Sequence, residues 1–399
     1  MSERLKHKLE VQATGIERVF VRHKIPASVQ GGTVRPLWTS FDLQTQLTTG
    51  FNHLRELKRD LMKTLGVPEV RIVRGESGVQ VEIRNPAGPA VDLLDLINNL
   101  PAVKSGVVVL GVAEDDRPVL LNLQADDTHH VCIVGDSTAG KTTLLRTMAL
   151  SLALTHKQSQ IQLVAIGPRQ EEEEEAQRLK LTPLNYLPHM LSAVLSDLPA
   201  VAESLAFLAG EVAYRREHGV RSPRIVLLID DLDSLFADGG RPIQEPVQML
   251  VRKGAMVGIH CILAIHNPQL ACDLWPAGQV IRLVGKMADN ERAELATGRS
   301  DLHAEYLLGQ GDFLAVSGNT ALRFQAAYVD DYAIHHSLNH LHHRQQPTMV
   351  AQPYWLRPHL TGSSDPAGPE RPFTFPNMTI DPAPPLPSQA NKTPKRKQK

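Results

Sequence analysis

The stretch Val131–Ala153, VCIVGDSTAGKTTLLRTMALSLA, decides how the chain is read. Four β-favouring residues run into Gly135-Asp136-Ser137-Thr138-Ala139-Gly140-Lys141-Thr142, and a Leu/Met/Ala-rich segment follows. The spacing satisfies GxxxxGK[ST] in full, and strand-before, helix-after is the context that such a loop requires. Gly135 and Gly140 let the backbone wrap closely around phosphate oxygens. The loop amides and the N-terminus of the following helix supply positive potential. Lys141 is expected to reach the β- and γ-phosphates of ATP, and Thr142 to ligate Mg2+. The nucleotide-binding set is therefore Gly135, Asp136, Ser137, Thr138, Ala139, Gly140, Lys141, Thr142 and Thr143.

Two later stretches fit the same site. RIVLLIDDLDSLF places five apolar residues, Ile225 to Ile229, ahead of Asp230 and Asp231. A buried strand that ends in acids puts them where open α/β sheets bind ligands. Asp230 would hold Mg2+ through water and Asp231 would polarise the attacking water. Solvation, or a cap for the next helix, is the plainer alternative for the pair. In VRKGAMVGIHCILAIHNPQ a buried strand, Ile259 to Ile265, ends in His266-Asn267 and stops at Pro268. His266 could sense the γ-phosphate there, or serve only the fold.

A chain of 399 residues suggests two or three domains. Its 42% hydrophobic and 21% charged content is that of a globular protein. No apolar run reaches the ~20 residues of a membrane span, and MSERLKHKLE lacks the apolar core of a secretory signal. The expectation is a cytoplasmic protein with no membrane segment. Cys132, Cys261 and Cys272 lie in or near apolar runs without metal-ligand spacing and read as reduced packing residues. The net charge of -1 excludes a basic sponge for nucleic acid, so any phosphate-backbone contact must come from local loops or from a surface made by assembly.

The chain divides into four stretches. Residues 1–18 read as an N-terminal extension, and 19–105 as a small α+β domain. Within that domain Thr33–Leu43 reads as a strand. Leu54, Leu57, Leu61 and Leu65 read as one face of a helix ending at Gly66, and EVRIVRGESGVQVEIRNP as a hairpin. Residues 106–343 read as an α/β core, with strands VVVLGV, PVLLNL, HVCIVG, IQLVAIG, RIVLLID, IHCILAI and VIRLVG alternating with helices. Continuously apolar strands point to a mostly parallel sheet covered on both faces. The run Glu171–Glu175 reads as a solvated face, and His335 to His343 lack the carboxylate or cysteine spacing of a metal site. From residue 344 onward about a dozen of the 28 prolines gather, ending in KTPKRKQK; this reads as a disordered, basic-ended tail.

In order along the chain these stretches resemble the motor region of the FtsK/SpoIIIE family, within the HerA/FtsK superfamily. The matching runs are Leu110–Leu123 with His129–Leu152, then PHMLSAVLSDLPAVAESLAFLAGEVAYRR, RKGAMVGIHCILAIHNP, AEYLLGQGDFLAV and RFQAAYVDDYAI. GGTVRPLWTSFDL and LRELKRDLMKTLGVPEVRIV resemble the small domain that precedes that motor. The resemblance implies a RecA-like P-loop ATPase that hydrolyses ATP with Mg2+ between neighbouring subunits. It implies a homo-oligomer, a hexameric ring around double-stranded DNA, moving it without base-specific contacts. The chain departs from the family where Asp231 replaces Glu, where Ile265-His266 replaces Thr-Gln, and where Ala255 replaces an arginine. Gly167-Pro168-Arg169 also stands where the family has Asp-Pro-Lys. Arg252 and Arg292 remain candidates for a finger reaching into a neighbour's site. With neither a membrane-spanning N-terminus nor a winged-helix domain read from the sequence, a motor for plasmid, phage or chromosomal DNA is expected rather than a septum-anchored pump. Two other readings stand beside it: a protein-secretion motor, and an ATP-binding assembly scaffold that hydrolyses slowly.

Overall fold

Two units of different construction carry the apolar residues singled out above. The computed structural model describes residues 3–35, 38–45, 57–67, 69–75, 78–84, 90–100, 103, 106–123, 130–168, 181–275 and 280–344. Glu171–Glu175, Leu54 and the proline-rich tail lie outside the described residues.

The first unit contains α1 (Glu3–Arg22), β1 (Ala27–Val34), β2 (Trp38–Thr45), α2 (Lys58–Leu65), β3 (Val70–Gly75) and β4 (Gly78–Arg84). Its four strands form an antiparallel sheet in the order β1-β2-β4-β3. Ile16, Val19 and Phe20 of α1 and Leu61 of α2 are fully buried and share one core with Phe41, Val81 and Ile83 of the sheet. Gly66 ends α2 in the left-handed region (φ 62°), its N–H bonded to the Met62 carbonyl, as the sequence pattern indicates.

Two expectations change here. Of the residues set apart as an extension, 3–18 belong to α1, whose C-terminal half supplies part of the core. Val11 and Val21, which face solvent, blur the stripe that Leu9, Ala13, Ile16, Val19 and Phe20 turn to the core. The run Thr33–Leu43 is not one strand but parts of two, with Thr33 opposite Ser40 and Val34 opposite Thr39. Alternation of apolar and polar residues continues through a hairpin unchanged, so it does not reveal the reversal.

After α3 (Leu93–Asn99), capped by the Asp92 carboxylate, the second unit begins. Its strands are β5 (Val107–Ala113), β6 (Pro118–Asn122), β7 (His130–Val134), β8 (Ile161–Ile166), β9 (Arg224–Ile229), β10 (Ile259–Ile265), β11 (Val280–Val284), β12 (Asp312–Ser317) and β13 (Thr320–Ala326). They form one sheet in the order β6-β5-β13-β12-β11-β7-β10-β9-β8. β8, β9, β10, β7 and β11 run parallel. β12, β13, β5 and β6 extend the sheet antiparallel. VVVLGV and PVLLNL therefore belong to the antiparallel flank. β5 is nevertheless buried along its whole length, because burial on two faces, not strand direction, is what makes a run continuously apolar. β12 and β13, absent from the sequence reading, complete that flank.

Helices cover both faces. Val131 and Ile133 point to a core that includes Leu144, Leu145 and Met148 of α4 (Lys141–Thr155). Cys132 and Val134 point the other way, towards Val201 and Leu205 of α5 (Leu198–His218). α6 (Leu232–Gly239), α7 (Arg241–Lys253), α8 (Pro268–Leu274) and α9 (Asn290–Thr297) follow the later strands. α10 (Asp331–Arg344) carries the histidine-rich run; His335 Nδ1 lies 2.6 Å from the Asp331 carbonyl, and His336 stacks on Tyr332. Among the described residues no helix is long and apolar enough to cross a membrane.

Candidate active site

Because β7, β9, β10 and β11 are parallel, the residues after each strand meet at one edge of the sheet. Those residues are Gly135, Asp230, His266 and Gly285. Gly135 N–H donates to the Ile265 carbonyl (3.4 Å), and Gly285 N–H to the Val134 carbonyl (2.7 Å), so the loop hangs from both neighbouring strands. Gly140 takes φ 97°, and a Cβ there would come within 2.9 Å of the Gly311 amide. Only glycine allows that close approach. The approach is fixed by two bonds, Gln310 N–H to the Thr138 carbonyl and Gly311 N–H to the Ala139 carbonyl, both 2.9 Å.

Gly140 opens α4 and no side chain caps the helix. An uncapped helix N-terminus beneath a glycine-flanked loop offers amides and positive dipole potential to a phosphate. Lys141 Nζ donates to the carbonyls of Gly135 (2.7 Å) and Asp136 (3.2 Å). Burial lowers the Lys141 pKa below that of a free lysine, against the opposing pull of Asp230, Asp231, Asp233 and Asp136. Ser137 and Thr138 are exposed at the lip of the loop, Ala139 is buried beneath it, and Thr143 lies half-buried on α4.

The Thr142 hydroxyl donates to Asp230 Oδ2 at 2.7 Å. Asp230 is buried at the end of β9, its amide bonded to the Ile166 carbonyl. Burial pushes its carboxyl pKa up, and the Thr142 bond and Lys141 only partly offset that. Two hard oxygen donors at one spot, one of them an under-compensated carboxylate, are a donor set that suits Mg2+. Thr142 and Asp230 could hold it.

Asp231 sits differently from what the sequence suggests for a free catalytic acid. It adopts the left-handed region (φ 60°) and is the N-cap of α6; its carboxylate accepts from Ser234 Oγ (2.8 Å) and Ser234 N–H (3.3 Å). Asp233, which sequence reasoning missed, takes the position beside the next strand. It accepts from the amides of His266 (2.6 Å) and Asn267 (3.0 Å) and so fixes the end of β10. The third acid of IDDLD was the available signal. The cleft of about 510 Å3 beside it is lined by Phe236, Gln244, Gln248, Asn267 and Asp273, with no residue of the loop Gly135–Thr142.

The two arginines separate. Arg252 is exposed in the last turn of α7, before β10 begins, at the end of the sheet opposite Gly135. Arg292 is in the same chain's site. Its Nη2 lies 3.2 Å from Asp136 Oδ1 and donates to the His266 carbonyl at 3.0 Å.

Comparison with known proteins supplies the context of this site. The profile of the FtsK/SpoIIIE family matches residues 101–221, and that of the FtsK alpha domain matches residues 2–85, so the first unit and α1 fall in one match. The chain is 26% identical over 374 residues to the DNA translocase FtsK of Chlamydia muridarum, covering 82% of this chain and 45% of that one. It is 24% identical over 373 residues to the DNA translocase SftA of Bacillus subtilis, covering 86% of this chain and 38% of the relative. It thus spans less than half the length of these relatives. Among solved structures, the pCW3 conjugation coupling protein TcpA, in its monomer form with ATPγS, superposes with a TM-score of 0.52 at 17% identity. That match covers 84% of this chain and 99% of TcpA. The cytoplasmic domain of the type VII secretion ATPase EccC from Thermomonospora curvata gives 0.51 at 21% identity, covering 64% of this chain and 33% of EccC. At these identities the structures speak to fold alone. Taken with the glycine loop, the buried Thr142–Asp230 pair and the preceding antiparallel unit, the two profile matches, which together cover about half of the chain, show that it belongs to the FtsK/SpoIIIE family of P-loop ATPases, with an FtsK alpha domain ahead of the core.

Proposed function

We propose that the chain is an ATP-driven, sequence-tolerant double-stranded DNA translocase, working in the cytoplasm as a homo-oligomeric ring of six with ATP sites at the subunit seams. The observation that carries this reading is the Lys141 and Thr142–Asp230 cluster at the ends of parallel strands, directly behind an FtsK alpha domain. Relatives named as DNA translocases over four-fifths of the chain support the DNA part.

In this reading Lys141 exchanges the carbonyls of Gly135 and Asp136 for phosphate oxygens, and the α4 N-terminus holds the phosphates. Bound Mg2+ would neutralise charge on the β- and γ-phosphates. Asp231 polarises the attacking water after turning from Ser234, and His266, at the end of β10, responds to the γ-phosphate. Arg252, remote from its own loop, is the residue free to reach a neighbour. Six near-neutral subunits place their basic loops around one pore, and backbone contacts there carry no base reading.

A steady-state ATPase assay with and without linear duplex DNA tests it. Strong stimulation by duplex is expected, with Lys141→Ala abolishing turnover. Indifference to DNA would favour a protein-secretion motor instead. Near-zero turnover with tight ATP binding would favour the assembly scaffold, a second reading that the engagement of Asp231 by Ser234 supports.

A further inference from the structure

Asp136 is an odd residue for its place. It lies inside a loop whose shape suits polyanions, and its side chain is three-quarters buried. Around Lys141 the structure gathers four carboxylates, those of Asp136, Asp230, Asp231 and Asp233. Thr142 engages Asp230, Ser234 engages Asp231, and the amides of His266 and Asn267 engage Asp233. For Asp136 the partner is a full charge, the guanidinium of Arg292, which reaches it from the first turn of α9.

Arg292 is held for that contact. Its backbone amide bonds to the Asp289 cap at 2.9 Å. The loop ahead of α9 is fastened to the phosphate loop by Asp136 N–H to the Lys286 carbonyl at 3.0 Å. The side chain is two-thirds buried; its guanidinium donates to the His266 carbonyl and has a buried Nε without a hydrogen-bond partner among the described residues. A finger meant for a neighbouring subunit would extend away from its own chain. This side chain instead bridges the phosphate loop and the end of β10 within one chain.

We propose that Arg292 acts in cis as the counter-charge of Asp136, making the phosphate loop acceptable to a nucleoside triphosphate, and that it is a positioning residue rather than a finger. The inference rests on the nucleotide-site reading above but not on DNA or ring formation. When Lys141 leaves the Asp136 carbonyl for phosphate, Arg292 becomes the remaining cation on that residue. Without it, a partly desolvated carboxylate faces the triphosphate, where like charges are poorly screened.

The test is ATP affinity by calorimetry, in protein without DNA, for Arg292→Gln, Asp136→Asn, the double variant and Arg292→Lys. Arg292→Gln should weaken ATP binding by about tenfold or more, the size expected of an uncompensated buried charge. Adding Asp136→Asn to Arg292→Gln should recover most of the affinity that Arg292→Gln loses, and Arg292→Lys should keep most of it, since charge is what they test. Parent-like affinity in Arg292→Gln would overturn the proposal. So would a double variant as weak as Arg292→Gln, which would mean that Arg292 serves the nucleotide by another route. If Arg292→Gln does not fold, Arg292→Met, alone and with Asp136→Asn, takes its place under the same criterion. Failure of the parent to bind ATP would instead remove the nucleotide-site reading itself.

Discussion

One carboxylate, that of Asp231, is asked to serve both helix and water. As the N-cap of α6 it satisfies Ser234 from a backbone conformation that Asp and Asn tolerate well. Asn preserves the cap and removes the charge, so the two roles can be separated. Asp231→Ala should cost about 1 kcal/mol of stability. Asp231→Asn should melt with the parent yet lose at least ~10-fold in turnover if the charge orients water. Paired thermal melts and ATPase rates check this; equal turnover in Asp231→Asn would leave Asp231 with the cap alone. At this scale the sequence is legible where local spacing carries the geometry. GxxxxGK[ST] brings Gly135, Lys141 and Thr142 together because one turn and one helix start suffice. It is silent where partners arrive from distant elements. Nothing near Asp136 announces Arg292, and nothing near His266 announces Asp233.

Elements show the same division. Seven apolar runs were recognisable as strands, whereas β12 and β13, with Asp312, Arg323 and Gln325 inside them, were not. Arg323 of β13 donates to Asp312 of β12, and Gln325 donates to the Gln310 carbonyl, so the polar residues of the pair interrupt the apolar run that marks the other strands. The edge beyond β8 supplies a prediction of its own. The Leu163 N–H donates to the His189 carbonyl, and the His189 ring contacts the His156 carbonyl at 2.9 Å. Burial lowers the His189 pKa to about 4, and burial also lowers that of His156. Below pH ~6.5 the unfolded chain takes up these protons while the native chain does not, so stability falls as pH drops from 6.5 towards 4. Urea titrations across that range should show a slope of up to about 1.4 kcal/mol per pH unit for each such histidine. His189→Gln should flatten it, and an unchanged slope would assign the acid sensitivity elsewhere.

Across the whole molecule, a file of charges joins the alpha domain to the core. Arg71 holds Glu114 through two bonds, 2.9 and 3.1 Å, while Glu69 lies 3.3 Å from both Arg71 and Arg323. Arg323 grips both oxygens of Asp312 (3.0 and 2.8 Å), and Arg84, fully buried, lies 2.6 Å from the same carboxylate. Arg71 and Arg84 also face the Trp38 ring, at 4.1 and 5.0 Å. Burial pushes the Asp312 carboxyl up, but the two arginines outweigh it and leave its pKa below the usual carboxylate range. Arg84→Ala should therefore cost roughly 3 kcal/mol, read as a lower denaturant midpoint. Arg117→Ala, at the exposed Arg117–Asp115 pair, should leave that midpoint where it was. Equal midpoints for the two variants would mean that the seam contributes little.

Asp312 is also the residue directly after Gly311, whose amide holds the Ala139 carbonyl under the phosphate loop. Pulling the alpha domain outward would draw on Arg84, and through it on the floor of the nucleotide cradle within a single peptide unit. A load applied to one end of this molecule would thus reach that cradle along a relay of ion pairs.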